Sequence, residues 1–166
     1  MLDGTRRSVG ADGAPDGPRL VGPALHIDLT HLTNRLTCGR VTACSDVDVS
    51  TSTYERPWGR NNPRWKPFLY GHLGPTDPLH TRAPYVVVWL GDDAAEVDED
   101  VVVDGGGAGE EGRYLVRARA EAFGAGGGRR AIEAELGKIC RPGEEGEVCL
   151  PGSRVQSWRV VTAALP

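Results

Sequence analysis

The sequence has no apolar run that approaches the roughly 20 residues needed to span a bilayer, and no N-terminal segment of basic residues followed by apolar ones. It therefore predicts neither a transmembrane helix nor a secretory signal peptide. We expect either a cytosolic protein or an exported one whose addressing segment is not part of this chain. Aromatic residues are also scarce, at 6% of 166 residues, although four of them are tryptophans, which are large enough to anchor a core.

The motifs that mark common active sites are missing as well. There is no G-x-S-x-G nucleophile elbow, and the glycine runs at 105–109 and 124–128 lack the Gly-Lys-Ser/Thr ending of a phosphate-binding loop. His26 and His31 lie five positions apart, on different faces of a helix, so they do not form a zinc-binding pair. All four histidines are expected to be surface or capping residues. The sequence therefore predicts a protein that is not an enzyme.

The charge is small overall and unevenly distributed. A net charge of −4 argues against a general nucleic-acid binder. Nine of the 23 acidic residues lie between positions 92 and 111, where there is no basic residue. The rest of the chain then has 14 acids against 19 bases, a net charge of +5. An acidic block on a mildly basic body indicates a cation site or a basic partner, and the alternative is a solvated loop.

The acidic block predicts a calcium site. Ca²⁺ takes six to eight oxygen ligands, and carboxylates alternate along this loop, although the EF-hand pattern is absent. The candidate ligands are Asp92, Asp93, Glu96, Asp98, Asp100 and Asp104.

The four cysteines fall into two local pairs. Five residues separate Cys38 from Cys44, and eight separate Cys140 from Cys149, which is wider than the usual zinc-site spacing. Disulfides fit better and imply an oxidising compartment. Three connectivities are possible, and we favour the two local pairs because short loops close at little entropic cost. The alternative is four buried thiols.

The most regular stretch, 112–139, predicts a hairpin around which the chain is organised. In its first arm Tyr114, Val116, Ala118 and Ala120 share one face, and the charged residues Arg113, Arg117, Arg119 and Glu121 lie mostly on the other or at its edges. This period of two is typical of a strand with one buried face. A glycine run follows, and then a second arm for which a helix is the alternative, since alanine and glutamate have poor strand propensity.

The remaining elements complete an α+β prediction. Leucines spaced by three and four predict an amphipathic helix over 24–37, with Gly39 as its stop. Residues 85–90 are predicted to form a strand covered on both faces. A last strand over 154–161 closes the sheet, and 45–83 forms a long proline-rich loop. We predict a flexible lead-in at 1–23 and a head domain at 24–166, in which the helix packs on an antiparallel sheet of about four strands.

Basic and aromatic residues interleave in the proline-rich loop. Such a pattern can bind single-stranded nucleic acid or sugars, and the alternative is that the tryptophans pack the loop onto the core. The candidate partner-binding residues are Trp58, Arg60, Arg64 and Trp65.

Several of these segments together resemble a PilX-type minor pilin of the type IV pilus. The segments that carry the resemblance are 29–44, 55–59, 61–65, 85–96, 119–124, 131–133 and 157–159. The resemblance covers roughly 24–161. It implies a pilin-like globular head whose long hydrophobic N-terminal helix, which anchors the family in the inner membrane before assembly, is missing here.

The resemblance also implies a function and a location. Minor pilins of this type are not enzymes. They form a priming or tip complex with other minor pilins, a tip adhesin and the major pilin, and so support pilus assembly, adhesion and twitching motility. The expected location is the extracellular pilus or the periplasm. The alternative function is a secreted or periplasmic binding module that uses the Trp-rich loop for carbohydrate or another cell-surface ligand.

Overall fold

The computed structural model describes residues 7–8, 18–20, 25–51, 63–72, 84–92, 115–124, 126–143 and 146–161. These residues form ten strands and two helices. The strands are β1 (Arg7–Ser8), β2 (Pro18–Leu20), β3 (His26–Asp28), β4 (Lys66–His72), β5 (Tyr85–Asp92), β6 (Leu115–Phe123), β7 (Arg129–Gly137), β8 (Cys140–Gly143), β9 (Gly146–Cys149) and β10 (Arg154–Val161). The helices are α1 (Leu29–Cys38) and α2 (Asp46–Thr51).

Six strands form one antiparallel sheet in the order β1-β4-β5-β6-β7-β10. From β4 to β10 the order in the sheet follows the order in the chain, with the β8–β9 hairpin inserted between β7 and β10. Strands β2 and β3 form a separate antiparallel pair. The two short strands described within the predicted lead-in, β1 and β2, thus pair with β4 and β3 respectively.

The predicted fold class, a pilin-like α+β head with an N-terminal helix packed on a sheet of about four strands, is wrong. The described part of the chain is mostly strand, and its helices have only ten and six residues. The helix predicted over 24–37 fails at its beginning because residues 26–28 pair with β2 as strand β3. Neither described helix combines the length and hydrophobicity needed to cross a bilayer.

Helix α1 has well-defined ends. Asp28 caps its N-terminus by accepting a hydrogen bond from the His31 backbone N–H at 2.9 Å. Gly39 ends it in the left-handed conformation, with φ of 77°, and donates its N–H to the Arg35 carbonyl. The stop predicted at Gly39 is therefore confirmed.

The hairpin predicted over 112–139 is confirmed, and the helical alternative for its second arm is wrong. Strands β6 and β7 pair over nine positions, from Leu115 opposite Gly137 to Phe123 opposite Arg129. Gly127 occupies the turn with φ of 81°, a conformation that glycine adopts without steric cost. The Gly124 N–H donates to the Gly128 carbonyl at 2.7 Å and closes the loop.

The apolar core lies on one face of the sheet, which we call the covered face. Trp89 and Val87 of β5 are completely buried there, and burial of such side chains contributes about 1.5–3 kcal/mol each. The Trp89 indole N–H also donates to the Thr33 hydroxyl of α1 at 2.9 Å. The buried cluster consists of Ile27, Leu29, Trp65, Tyr70, Tyr85, Val87, Trp89 and Phe123.

Candidate functional site

The covered face carries an ionic network next to the apolar core. Glu121 of β6, only 1% exposed, accepts hydrogen bonds from Arg119 at 3.0 and 2.8 Å. Its second carboxylate oxygen accepts from Arg129 Nε at 2.8 Å and from the Nη2 of the same side chain. Each oxygen of this carboxylate therefore contacts one guanidinium group, an arrangement that offsets much of the cost of removing the charges from water.

The network continues across β7 to β10. The buried Glu133 accepts from Arg119 Nη1 at 3.2 Å and from Arg159 at 3.1 and 2.9 Å. Charges on three adjacent strands, β6, β7 and β10, are thus joined in one continuous chain of charge-assisted hydrogen bonds. A neighbouring pair lies on the same side of the sheet, with Arg117 Nη2 at 3.2 Å from Glu135 Oε1. Glu135 Oε2 also accepts a hydrogen bond from the Ser157 hydroxyl at 2.8 Å.

In strand β6 the charged side chains are buried and the small apolar ones are partly exposed, which is the reverse of the usual arrangement in a sheet. In β6 the buried residues are Arg117, Arg119, Glu121 and Phe123, whereas the alanines between them are partly exposed. Because strand residues alternate between faces, the opposite face collects the small and apolar side chains. The expectation that the charged residues of the first hairpin arm lie away from the buried face is therefore wrong.

We call that opposite side the apolar face. It consists of Leu69, Val86, Val88, Leu90, Val116, Ala118, Ala120, Ala122, Ile132, Ala134, Leu136, Val155, Trp158 and Val160. None of these side chains is buried, and none belongs to the buried core cluster on the covered face. The side chains of β5 are fully buried on the covered face, whereas Val86, Val88 and Leu90 on the other side, which was also predicted to be covered, are only partly buried. Charged groups on this side, Lys66, Asp92 and Arg130, lie at its periphery.

The apolar face is most exposed at β10. Trp158 is 68% exposed and Val160 is 64% exposed, and Ile132 of the neighbouring strand is 47% exposed. A bulge between Val155 and Ser157 shifts the register by one residue, so Val155 joins Trp158 on the apolar face instead of alternating away from it. Among the described residues, no strand pairs with the outer edge of β10.

A second surface feature is a cleft of about 410 Å³ between the beginning of α1 and the β6–β7 turn. Leu25, Ile27, Leu32 and Phe123 form much of its apolar wall, and no hydroxyl or thiol side chain is among the described residues that line it. Its polar lining residues are His26, Asp28, His31, Arg35 and Arg129. His31 Nδ1 lies 3.7 Å from Asp28 Oδ2, a distance that leaves the pair without a direct hydrogen bond.

Both favoured disulfides are confirmed. Cys38 is joined to Cys44, and Cys140 is joined to Cys149, its cross-strand partner in the β8–β9 hairpin. All four cysteines are bonded, so the alternative of four buried thiols is wrong. Two disulfides fit an extracellular or periplasmic protein.

The other predicted site residues are only partly visible. Of the calcium candidates, Asp92 is described and is buried at the end of β5, and the rest lie outside the described residues. No group of three metal-ligating side chains converges within the ranges that the structure describes. The calcium site stays a prediction.

Of the partner-binding candidates, Trp58 and Arg60 lie outside the described residues. Trp65 is buried in the core cluster, and Arg64 forms an ion pair with Asp46 at 2.8 Å. The partner-binding role of these four residues stays a prediction.

Sequence reasoning missed the apolar face. The signal was present in the alternation of arginine and glutamate with alanine, which defines two faces of the strand without indicating which of them is covered.

No protein-family model, no curated protein and no solved structure matches this chain.

Proposed function

We propose that this chain is a non-enzymatic binding module of an oxidising compartment, and that it engages a protein partner through the apolar face. The single observation behind the proposal is the reversed polarity of strands β6 and β7. Arg119 and Glu121 are almost fully buried, while Ile132 and the alanines of β6 are left partly exposed. Burial of apolar surface is the main driving force of folding and association, so covering the apolar face in an assembly would stabilise this arrangement further.

The exposed end of the apolar face has the composition of an interface. Aromatic residues are enriched at protein interfaces and charged residues are depleted from their centres. Trp158 lies opposite Ala134, and Val160 lies opposite Ile132. No charged side chain is placed among these four residues. A partner surface that is also apolar fits here better than an ionic one.

Photo-crosslinking tests this proposal. A photoreactive residue replaces Trp158 in the full chain, and the matched control carries it at Val148, which is 63% exposed on the β8–β9 hairpin. We expect a protein adduct in the native compartment from position 158 and none from position 148. Excess wild-type chain should suppress the adduct, whereas excess Val160→Glu chain should not. Equal adducts from both positions, or none from position 158, would refute the proposal.

A role in type IV pilus assembly is the more specific proposal, and it rests on the sequence resemblance. The apolar face is compatible with it, because a subunit of an assembly needs a surface that contacts its neighbours. Co-purification of the chain with other minor pilins or with a tip adhesin, lost in Val160→Glu, is the expected result. Co-purification that is unaffected by this substitution would show that a pilus role does not depend on the apolar face.

A further inference from the structure

We propose that the apolar face is covered by a second copy of this chain, so that two sheets pack face to face across a two-fold axis. The inference rests on the proposed function, since it names the partner of the same surface. It is carried by the area of the face, its lack of internal charge and its self-complementary relief.

The area of the face is sufficient for a specific dimer. In the arrangement described below, four strands of each copy overlap, namely β5, β6, β7 and β10. With about 4.8 Å between strands and about 3.3 Å per residue over about eight residues, they cover roughly 500 Å². Two such faces in contact would bury roughly 1,000 Å², which is the area that a specific interface of good complementarity needs to reach.

The charge pattern is compatible with an identical partner. In the two central rows of the face, Ala120 lies opposite Ile132 and Ala118 lies opposite Ala134, and each row continues onto β10 with an apolar residue. A partner surface must therefore bring neither charge nor unpaired polar groups to this centre. The apolar face itself meets that requirement, and a symmetric dimer needs a patch that is complementary to itself.

The relief of the face also fits a copy of itself. The alanines of β6 form a shallow trough, and the larger Ile132 and Leu136 of β7 stand beside it. A two-fold axis that runs along the strands between β6 and β7 would place β7 of each chain over the trough of the other. Ile132 would then pack onto Ala120 of the second copy, and large side chains would fill the space above small ones.

Analytical ultracentrifugation of the full, oxidised chain tests the inference, with Ile132→Glu as the disrupting variant. Its matched control is Ile139→Glu, because Ile139 is also partly exposed, at 37%, but follows β7 and lies outside the apolar face. We expect the wild-type chain and Ile139→Glu to sediment at twice the mass of 17.7 kDa at micromolar concentration. Ile132→Glu should weaken the dimer by at least about 100-fold, because each dimer would bury two carboxylates without partners.

Two outcomes would overturn the dimer. A wild-type chain that stays monomeric up to about 100 µM would do so, and so would a dimer that Ile132→Glu leaves intact, since the copies would then meet through another surface. Acrylamide quenching of Trp158, measured as the difference between wild type and Trp158→Phe, separates this failure from that of the proposed function. A monomer with a quenchable Trp158 keeps the apolar face available for a different protein. A monomer in which Trp158 is protected would overturn both proposals.

Discussion

Replacement of Glu121 by Gln tests whether the ionic network is what holds the charged side chains of β6 and β7 on the covered face. The substitution keeps the size of the side chain and one oxygen acceptor, and it removes the negative charge between Arg119 and Arg129. Both guanidinium groups contact this carboxylate at hydrogen-bonding distance, and Glu121 is only 1% exposed. Loss of one partner from a buried ion pair typically costs about 3–5 kcal/mol, since the remaining charge stays in a poorly solvated site.

We therefore expect Glu121→Gln to lower the free energy of unfolding by about 3 kcal/mol or more. For a chain of this length that corresponds to a decrease in Tm of roughly 6–12 °C. Urea denaturation followed in parallel by circular dichroism and by tryptophan fluorescence gives the free energy, provided that both probes show the same transition.

The matched control for this prediction is Glu135→Gln on the neighbouring strand. Glu135 is also paired with an arginine and lies on the same side of the sheet, but its side chain is 41% exposed. Solvent reaches the Glu135 carboxylate although Arg117 is buried, so we expect a smaller loss of stability than in Glu121→Gln, whose carboxylate and main partner are both buried. A Glu121→Gln variant that is destabilised no more than Glu135→Gln would refute the argument that the buried network stabilises this side of the sheet.

Three further predictions concern other parts of the chain. Cys140→Ser opens a short loop and should cost about 2–3 kcal/mol by the loop-entropy relation, measured by urea denaturation; an unchanged midpoint would contradict it. The Asp48 carboxylate accepts hydrogen bonds from the Ser45 backbone N–H and hydroxyl, which lowers its pKa below the ordinary value of 3.8. Its contribution to stability is thus present above that value and is lost as the pH falls through the lowered pKa. Ser45→Ala removes the hydroxyl and keeps the backbone N–H, so an NMR titration should show a depressed midpoint in the wild type and a somewhat higher one in the variant. Equal midpoints would exclude the contribution of the hydroxyl. Millimolar calcium should raise the Tm of the wild type but not of a variant with Asp98→Ala and Asp100→Ala; a Tm that calcium and chelator both leave unchanged would rule the site out.

Local features of the sequence predicted much of the secondary structure. The period of two over β6 and the glycine run that follows specify a hairpin. The Cys38–Cys44 disulfide closes a short loop at the end of α1, and the Cys140–Cys149 disulfide closes the β8–β9 hairpin. Gly39 marked the end of α1 for the same reason, because a left-handed residue after the last turn is a local requirement. Such signals depend on a few neighbouring residues, so one sequence suffices to detect them.

The sequence did not reveal which face of the sheet is covered. Alternation defines two faces of β6, but alanine gains little from burial, whereas the cost of burying Arg119 depends on Glu133, 14 positions further along the chain. The bulge near Gln156 is equally non-local, since it is defined by pairing with β7. Strict alternation places Val155 with Ser157, and the bulge instead places it beside Trp158.

The buried network and the apolar face are two consequences of one strand register. A slip of β7 by one residue relative to β6 would send Glu133 to the opposite side and leave Arg119 without the carboxylate that it contacts at 3.2 Å. An apolar contact between these strands would discriminate far less between registers, because the alternating alanines of β6 are alike. The ionic network thus makes the register specific, and the same register arranges Ala120, Ile132 and Val160 in one row on the apolar face. On this argument the charges on the covered face determine the geometry of the binding surface on the other side of the sheet.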